Sequence, residues 1–247
     1  MGSIRLPGKV MRPICGRPVV EHLLRRLTLS SCLDKIVLAT STDPVNDPLE
    51  SFVTSLGYHV YRGSENDVLD RYYQTACTIN ASIIVRVTGD CPLIDPTLVD
   101  LVIKELINTG ADYSENAAIP SYPNGLETEA FTFETLKTTW LSATTPYQRE
   151  HVTPYIRDSG RFTLINSPAE TNHSQHRWTV DEPEDLIVLK NIIEHFDPQF
   201  DFGWADIIAL HDLHPTWFTA NQHIPRNEGS AMSRDEKVRR RETKLLT

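Results

Sequence analysis

Long hydrophobic runs and paired cysteines are both missing from this sequence of 247 residues. No apolar stretch approaches the roughly 20 residues that a membrane-spanning helix needs. Arg5 and Lys9 interrupt the start of the chain, where a secretory signal would be apolar. The 4 cysteines are scattered, without a CxxC pair or the spacing of a zinc site. These absences predict a reduced, cytoplasmic protein with no membrane contact and no structural zinc.

Positive charge is also scarce, since 24 lysines and arginines face 33 acidic residues and the net charge is −9. This balance argues against a general nucleic-acid-binding protein. The first 26 residues are an exception, because they hold six basic residues against the single acid Glu21. A small polyanion could bind there, although Arg25 and Arg26 are better explained as the solvated face of a helix.

Helical and extended patterns alternate from residue 17 onward. Apolar periodicity and capping residues predict helices that begin near Pro18, Asp47, Asn66 or Asp67, and Asp95. Buried strands are predicted over 35–40, 58–61 and 82–88. Apolar strands that alternate with helices are typical of a parallel, doubly wound α/β sheet. More polar strands over 127–133 and 161–166 predict an antiparallel extension, which makes the whole a Rossmann-like mixed sheet.

The remainder of the chain is predicted to complete one domain and a short tail. A further strand is expected over 176–180, followed by helices that begin at Pro183 and Trp204. Neither an internal repeat nor a linker interrupts residues 1–229, which we therefore expect to form a single domain. The segment 230–247 is charged and poor in core residues, which predicts a solvated tail or a short surface helix.

The segment from Gly2 to Lys9 has the composition of a phosphate-binding loop. It holds two glycines and two cations but no acidic residue. Glycine lets backbone N–H groups approach phosphate oxygens closely, and Arg5 and Lys9 would neutralise them. No Walker A sequence is present, because GxxxxGK followed by Ser or Thr does not occur. From these residues alone, phosphate binding and a basic flexible terminus are both open.

Two aspartates follow predicted strands at positions that suit a metal-bound nucleotide. Asp90 lies just beyond the most apolar strand, where doubly wound sheets bind ligands, although a simple strand-end turn would also explain it. Asp181 ends the strand over 176–180, ahead of the helix that Pro183 opens, so helix capping does not explain it. Together the two carboxylates could bind Mg²⁺. Helix initiation adequately explains the nearby acids Asp95, Glu182, Glu184 and Asp185.

Polar side chains of the second half could meet a sugar. Glu127 and Glu129 would share one face of the strand predicted over 127–133, toward either a sugar or solvent. His151 follows Arg149 in a polar stretch, and a structural histidine is the alternative to a catalytic one there.

Six segments, read together, are far more specific than any one of them. They are Gly2-Ser-Ile-Arg-Leu-Pro-Gly-Lys-Val10, Ala39-Thr-Ser-Thr42, Arg62-Gly-Ser-Glu-Asn-Asp-Val-Leu-Asp-Arg-Tyr-Tyr73, Arg86-Val-Thr-Gly-Asp-Cys-Pro-Leu-Ile-Asp95, Arg149-Glu-His-Val-Thr-Pro-Tyr155 and Arg177-Trp-Thr-Val-Asp-Glu-Pro-Glu-Asp185. In this order they closely resemble the spore-coat-polysaccharide cytidylyltransferase family, which is similar to the acylneuraminate and Kdo cytidylyltransferases. The resemblance covers most of the chain, from residue 1 to the end of the predicted domain.

The resemblance implies a nucleotidyltransferase fold of the GT-A type and the transfer of CMP from CTP to a sugar or sugar acid. The implied reaction is in-line attack of a sugar hydroxyl on the α-phosphorus with release of pyrophosphate, in the synthesis of a surface polysaccharide or glycan. A homodimer is compatible with the family.

The resemblance also implies roles for particular residues. Arg5 and Lys9 would hold the triphosphate and act with Asp90 and Asp181, the implied Mg²⁺ ligands, as catalytic residues. The implied nucleotide site consists of Gly2, Ser3, Arg5, Lys9, Thr40 and Ser41, the last two lying near the base. The candidates for the sugar side are Arg86, Glu127, Glu129, Arg149, His151 and Arg177.

Two departures from the family pattern matter. Ile4 stands where Thr or Ser is usual, so one hydroxyl contact is absent. Relatives also carry an apolar strand and an arginine immediately before this loop, whereas this sequence begins at Met1. The first strand of the family is therefore expected to be missing here. Losing its several buried apolar residues, at about 1.5–3 kcal/mol each, would exhaust the stability of many domains. We therefore expect either a true start further upstream or a fragment.

Two rival functions stay open at this point. A GT-A glycosyltransferase also binds a metal-bound nucleotide, but it would normally carry a DxD motif, which the sequence Gly-Asp-Cys-Pro around Asp90 is not. A non-catalytic relative that binds a nucleotide or sugar would bind CTP without turnover.

Overall fold

In the computed structural model, which describes Met1, Ser3 and residues 5–226, helices and strands alternate along the first half of the chain. Gly2, Ile4 and the segment 227–247, with the predicted tail, lie outside the described residues. The elements of the first half are β1 (Pro13–Ile14), β2 (Arg17–Pro18), α1 (Val19–Leu27), β3 (Val37–Ser41), α2 (Asp47–Ser55), β4 (His59–Gly63), α3 (Val68–Ile79), β5 (Ile83–Arg86) and α4 (Pro96–Thr109).

The second half contains shorter strands and more helix. Its elements are β6 (Tyr113–Glu115), β7 (Glu129–Thr132), α5 (Phe133–Ser142), α6 (Pro146–His151), α7 (Pro154–Asp158), β8 (Leu164–Asn166), α8 (Pro183–Phe196) and α9 (Trp204–Leu213). Three 3₁₀ turns, Lys9–Met11, Pro44–Asn46 and Pro215–Phe218, connect them.

The predicted capping residues fix several helix boundaries. The Asp95 carboxylate accepts from the backbone N–H of Thr97 at 2.8 Å and begins α4, and Gly110, in the left-handed conformation with φ 66°, ends it. Asp67 caps α3 in the same way, by accepting from Asp70 N–H at 2.9 Å. In α2 the prediction was off by one residue, because Asn46 is the N-cap and Asp47 is already helical.

The strands form a mixed α/β arrangement, as predicted, but they are divided among separate sheets. Strands β3 and β4 pair in parallel, from Val37 opposite His59 to Ser41 opposite Gly63. The largest sheet has the order β5-β7-β6-β8, in which β7 is antiparallel to both neighbours and β6 is parallel to β8. The antiparallel extension is therefore confirmed at β7. Strand β8, however, runs parallel to its neighbour.

The strand predicted over 176–180 does not form. Only one bridge is present there, between Asn124 and Arg177. The backbone of this segment is satisfied one residue at a time by different partners: Trp178 N–H donates to Asn124 at 2.7 Å and Val180 N–H donates to the carbonyl of Asp90 at 2.9 Å. The segment 176–180 has the sequence pattern of a strand, but no continuous strand lies beside it.

Apolar cores flank the sheets and hold the strand ends in place. One surrounds the buried Trp178 and the inner face of α8, including Leu189 and Ile192. A second lies between α4 and the four-stranded sheet, and a third packs α3, α5 and α7 on its other face around Phe131. Within the described residues, no helix combines the length and apolarity needed to cross a membrane.

Candidate active site

Lys9 joins the two aspartates that were predicted to act together. Its ammonium lies 2.6 Å from Asp90 Oδ2 and 2.7 Å from Asp181 Oδ1, although these partners are 81 and 172 residues away in sequence. Asp90 lies beyond the carboxyl end of β5, Asp181 lies just before α8, and Lys9 begins the first 3₁₀ turn. The chain thus gathers one cation and two carboxylates from three distant segments at the ligand-binding edge of the fold.

Lys9 and Asp90 each stabilise the charged form of the other. Burial alone would lower the pKa of Lys9, but the charges of Asp90 and Asp181 outweigh it and raise that pKa above its ordinary value. Burial would likewise raise the pKa of Asp90, and the neighbouring Lys9 ammonium lowers it instead. The lysine is therefore held protonated and Asp90 ionised.

Arg5 adds a second cation to the same carboxylates. Its guanidinium lies 3.0 Å from Asp181 Oδ1 and 3.1 Å from Glu182 Oε1. Arg5 and Lys9 therefore both face the carboxylate edge, as a pair of phosphate-binding cations would. The same segment contains Ser3, whose hydroxyl accepts from Leu6 N–H at 3.3 Å. Gly2, the remaining predicted member of the loop, is outside the described residues.

Asp181 is held in place by an ion pair that sequence reasoning missed. Arg177 donates to the carboxylate of Asp185 from Nε at 2.8 Å and from Nη2 at 3.0 Å, and its Nη2 also lies 3.1 Å from Asp181 Oδ2. Asp185 is fully buried and accepts from the backbone N–H groups of Asp181 and Glu182 as well. Because helix initiation already explained Asp185, its buried ion pair with Arg177 was not predicted from the sequence.

Thr40 and Ser41 lie at the carboxyl end of β3, as predicted, and both are buried. The Ser41 hydroxyl accepts from the side-chain amide of Asn46 at 2.8 Å. The same amide group of Asn46, through its Oδ1, accepts from the terminal ammonium of Met1 at 3.1 Å. The end of β3 is thereby tied to Met1, which immediately precedes the segment predicted to bind phosphate.

Glu129 and Arg86 are brought together on neighbouring strands, β7 and β5, where they form a buried ion pair. Glu129 Oε1 also accepts from the hydroxyls of Tyr113 and Thr153, both at 2.6 Å. Arg86 outweighs the effect of burial and lowers the pKa of Glu129. Arg157, which the sequence did not single out, lies 3.6 Å from the same carboxylate.

Glu127 does not share a strand face with Glu129, contrary to the prediction. It precedes β7, where Gly125 N–H donates to its Oε2 at 2.7 Å and Arg226 donates to its Oε1 at 2.6 Å. Burial, and to a smaller extent the charge of Asp90, raises the pKa of Glu127. Glu127 therefore lies toward the aspartates. The short strand begins only after the Gly125 turn, which the alternating pattern could not reveal.

The remaining candidates for a sugar lie on α6. Arg149 donates to Asp67 from Nε at 2.9 Å and from Nη2 at 2.6 Å, and to the carbonyl of Trp140 at 2.7 Å. It therefore fastens α6 to the capped start of α3. The ring of His151 packs against Tyr147 with a centroid distance of 4.7 Å. The contacts of Arg149 and His151 thus hold α6 in place.

The two aspartates have the chemistry of a magnesium site. Among the described residues there is no group of three or more His, Cys, Asp or Glu side chains that could hold a metal ion. Mg²⁺ in nucleotide enzymes, however, needs only one or two carboxylates, because substrate phosphates and water supply the other ligands. Asp90 and Asp181 share one cationic neighbour in Lys9, so both carboxylates face a common position.

An α/β sheet with two aspartates and basic residues at its ligand-binding edge is typical of an enzyme that handles nucleoside phosphates. The chain matches the sequence model of the cytidylyltransferase family over residues 1–194. It is 33% identical over 223 residues to the spore coat polysaccharide biosynthesis protein SpsF of Bacillus subtilis, covering 87% of this chain and 92% of that protein. The chain therefore belongs to the cytidylyltransferase family, as the six sequence segments predicted.

Two further comparisons are with a solved structure and with a curated relative. A cytidylyltransferase structure from Leptospira borgpetersenii superposes with a TM-score of 0.86 at 34% identity, over 92% of this chain and 95% of that one. A 3-deoxy-manno-octulosonate cytidylyltransferase of Pelobacter propionicus is 34% identical over 109 residues, or 43% of this chain and 41% of that protein. Family membership separates the chain from GT-A glycosyltransferases, the nearer of the two rival functions.

Proposed function

We propose that this protein transfers CMP from CTP to a hydroxyl of a sugar acid and releases pyrophosphate, in the synthesis of a surface polysaccharide or glycan. The observation that carries the proposal is the placement of Lys9 between Asp90 and Asp181, at 2.6 and 2.7 Å. Relatives whose names refer to polysaccharide biosynthesis and to a sugar-acid cytidylyltransferase support the choice of acceptor class.

The nucleotide site is proposed to follow the basic segment at the start of the chain. Arg5 and Lys9 bind the triphosphate, and their charges neutralise the pyrophosphate as it leaves. Gly2 and Ser3 offer backbone N–H groups to the same phosphates. Thr40 and Ser41, at the end of β3, line the side of the base.

Asp90 and Asp181 are proposed to hold Mg²⁺ together with the phosphates of CTP. When bound, the ion would supply a Lewis acid that withdraws charge from the phosphoryl oxygens. Asp185 and Arg177 keep the Asp181 carboxylate oriented for this task, and Lys9 keeps Asp90 ionised. The chain's contribution to the reaction is therefore orientation and charge neutralisation, which suits an in-line displacement at phosphorus.

The acceptor is proposed to bind beside these aspartates, along the edge of the four-stranded sheet. Glu127, Arg86 and Glu129 lie along that edge, while Arg149, His151 and Arg177 hold its surroundings in place. All 4 cysteines are free, which fits a reducing, cytoplasmic compartment. A homodimer is the expected assembly, and sedimentation velocity would establish it.

The direct test is to follow pyrophosphate release from CTP and Mg²⁺ in the presence of a panel of sugar acids and sugar phosphates. We expect release that depends on one acceptor, is abolished by EDTA and falls at least about 100-fold in Asp90→Ala. Asp34→Ala, at an exposed position, is the matched control and should retain full activity. A folded protein that binds CTP but releases no pyrophosphate with any acceptor would instead support the non-catalytic relative.

A further inference from the structure

A row of four polar side chains crosses one face of the four-stranded sheet. The register places Arg86 opposite Glu129, Glu129 opposite Glu115, and Glu115 opposite Asn166. Because paired residues point to the same face of a sheet, the four side chains lie side by side. Arg86, Glu115 and Asn166 end β5, β6 and β8, and Glu129 begins the antiparallel β7, so all four lie at the edge where α/β sheets bind ligands.

The next row on the same face is apolar and belongs to the core. It contains Ile84, Phe131 and Tyr113, all of which pack in the cluster beneath α3 and α5. The polar row therefore marks the boundary between the core and the open end of the sheet. Polar groups at that boundary are buried on one side and can meet a ligand on the other.

Glu115 is buried in this row, and its charge is only weakly compensated. Its residue is only 3% exposed, yet the ion pair to Arg157 Nη1 is 3.9 Å long, beyond hydrogen-bond distance. Glu129 beside it, by contrast, accepts two hydroxyl hydrogen bonds and pairs with Arg86. Burial, followed by the charge of Glu129, raises the pKa of Glu115 to about 7 against the opposing effects of Arg157 and Tyr113.

Asn166, the next member of the row, has an unsatisfied acceptor. Its side-chain oxygen is buried and receives no hydrogen bond from the described part of the chain. An unsatisfied buried acceptor is costly, so its position beside the weakly compensated Glu115 needs a reason. A ligand that brings hydrogen-bond donors would satisfy the Asn166 oxygen and could also bind Glu115.

Backbone strain occurs at Val152, next to Thr153, which donates to Glu129 of this row. Val152 is buried and has φ 70° and ψ −61°, a conformation that β-branched residues rarely adopt. The turn at Val152 brings Thr153 N–H to the carbonyl of His151 at 2.8 Å, and it delivers the Thr153 hydroxyl to Glu129. Arg157 follows one helical turn later. Strain of this kind is concentrated at binding sites, where the surrounding fold imposes it.

The row also lies within reach of the carboxylates that would bind the nucleotide. Asp90 follows Arg86 by only four positions, so their backbones are at most about 14 Å apart. Glu127, which responds to the charge of Asp90, precedes Glu129 by two residues. An acceptor whose reacting hydroxyl lies near Asp90 therefore extends along the sheet edge toward Glu115.

We propose that Glu115, Asn166 and the neighbouring Arg157 form the specificity-determining end of the acceptor site. The side-chain oxygens of Glu115 and Asn166 accept from a hydrogen-bond donor of the sugar, a hydroxyl or an ammonium group, remote from the hydroxyl that attacks CTP, and Arg157 orients the Glu115 carboxylate. This inference depends on the proposed function. It assigns Glu115 and Arg157 to acceptor recognition, although neither belongs to the sequence segments that identified the family.

The test measures acceptor binding without turnover. The protein is saturated with α,β-methylene CTP and Mg²⁺, and sugar acids are titrated by calorimetry, including 3-deoxy-manno-octulosonate and its 8-amino-3,8-dideoxy analogue. We expect Glu115→Gln to weaken acceptor binding about 10- to 100-fold, the range for losing a hydrogen bond to a charged group. The affinity for the nucleotide analogue should stay within about twofold of wild type.

Glu134→Gln is the matched control, because its side chain is 77% exposed on α5 and it should bind like wild type. Arg157→Gln, at a more exposed position, provides a second variant should Glu115→Gln fold poorly, and it should show the same selective loss. If the recognised donor is an ammonium group, the amino analogue binds more tightly than the parent sugar acid and loses that advantage in Glu115→Gln. If the donor is a hydroxyl, the parent compound is preferred.

Each other outcome has a definite meaning. Acceptor binding that is unchanged in both Glu115→Gln and Arg157→Gln overturns the inference and leaves the proposed function intact. Nucleotide binding without binding of any sugar acid overturns the assignment of this row to a sugar acid. Failure to bind α,β-methylene CTP at all overturns the proposed function itself.

Discussion

Arg177 and Asp185 form a two-point ion pair, with hydrogen bonds of 2.8 and 3.0 Å, underneath the aspartate that faces Lys9. The pair is buried, and the Asp185 carboxylate also receives the backbone N–H of Asp181 at 2.8 Å. The position of Asp181 is therefore supported by a buried charge pair.

Asp185→Asn should destabilise the protein by up to about 3–5 kcal/mol, because it removes one partner of a buried ion pair and leaves the Arg177 guanidinium with only the contact to Asp181 at 3.1 Å. Urea denaturation measures the change in the free energy of unfolding. Glu184→Gln, one residue earlier and partly exposed, should change it by less than about 0.5 kcal/mol. Equal effects of the two substitutions would show that Arg177 and Asp185 do not act as a buried pair.

Lys9→Met should lower acceptor-dependent pyrophosphate release by about 100- to 1,000-fold, since it removes one of the two cations proposed to stabilise the charge on the phosphates. The reduction should appear in kcat, measured by the pyrophosphate assay at saturating CTP. Lys35→Met, an exposed lysine before β3, controls for the loss of a charge and should retain activity. A normal kcat in Lys9→Met would remove Lys9 from the catalytic group.

Gly125→Ala should destabilise the fold by about 2–4 kcal/mol. An added methyl group would lie 2.8 Å from the backbone of both Trp178 and Thr179, and φ at Gly125 is +107°. Gly160→Ala is the matched control, because φ there is +67° but nothing lies within 4 Å of the added methyl group. Only the conformational cost, about 1–2 kcal/mol, should remain in that variant. Thermal and urea unfolding of both proteins separate the clash from the conformational cost.

Glu115→Gln should change how stability depends on pH. The pKa of Glu115 is raised from 4.5 to about 7 in the folded protein, so the folded state binds its proton more tightly than the unfolded state does. Stability from this group is present below pH 4.5 and is lost as the pH rises toward about 7, by about 3 kcal/mol in total.

The variant lacks this titration, so it should unfold at a similar urea concentration to wild type at pH 5 and at a higher one at pH 8. A difference between the two proteins that stays constant over this range would contradict the burial of an ionisable Glu115. Glu134→Gln, with its exposed carboxylate, should follow wild type at both pH values.

The sequence predicted those parts of the site that depend on strand ends and on family segments. Asp90 follows an apolar strand that does form, so its position at the ligand edge could be inferred. The position of Asp181 was predicted although the segment 176–180 is not a strand, because the helix that begins at Pro183 fixes the end of that segment. Local signals indicated where both aspartates lie, and the family resemblance assigned them to one site.

The remainder depends on pairings that no local pattern records. Strand β6 has three residues, too few for an alternating pattern to stand out, so Glu115 was not recognised. The pairing of Asp185 with Arg177 is invisible because a first-turn carboxylate is favourable in any helix. Likewise, Glu127 and Glu129 were placed on one strand face, since nothing local shows that Gly125 delays the start of β7.

The hydrogen bond from Val180 N–H to the carbonyl of Asp90, at 2.9 Å, joins the backbones of the two aspartate segments directly. A fluctuation that breaks it separates Asp90 from Asp181, and the segments cannot part while it is intact. The exchange rate of this one amide proton therefore reports how often the carboxylate site opens. Slow exchange would mean that the carboxylate site is already formed in the free protein, so that CTP would bind to it without inducing its formation.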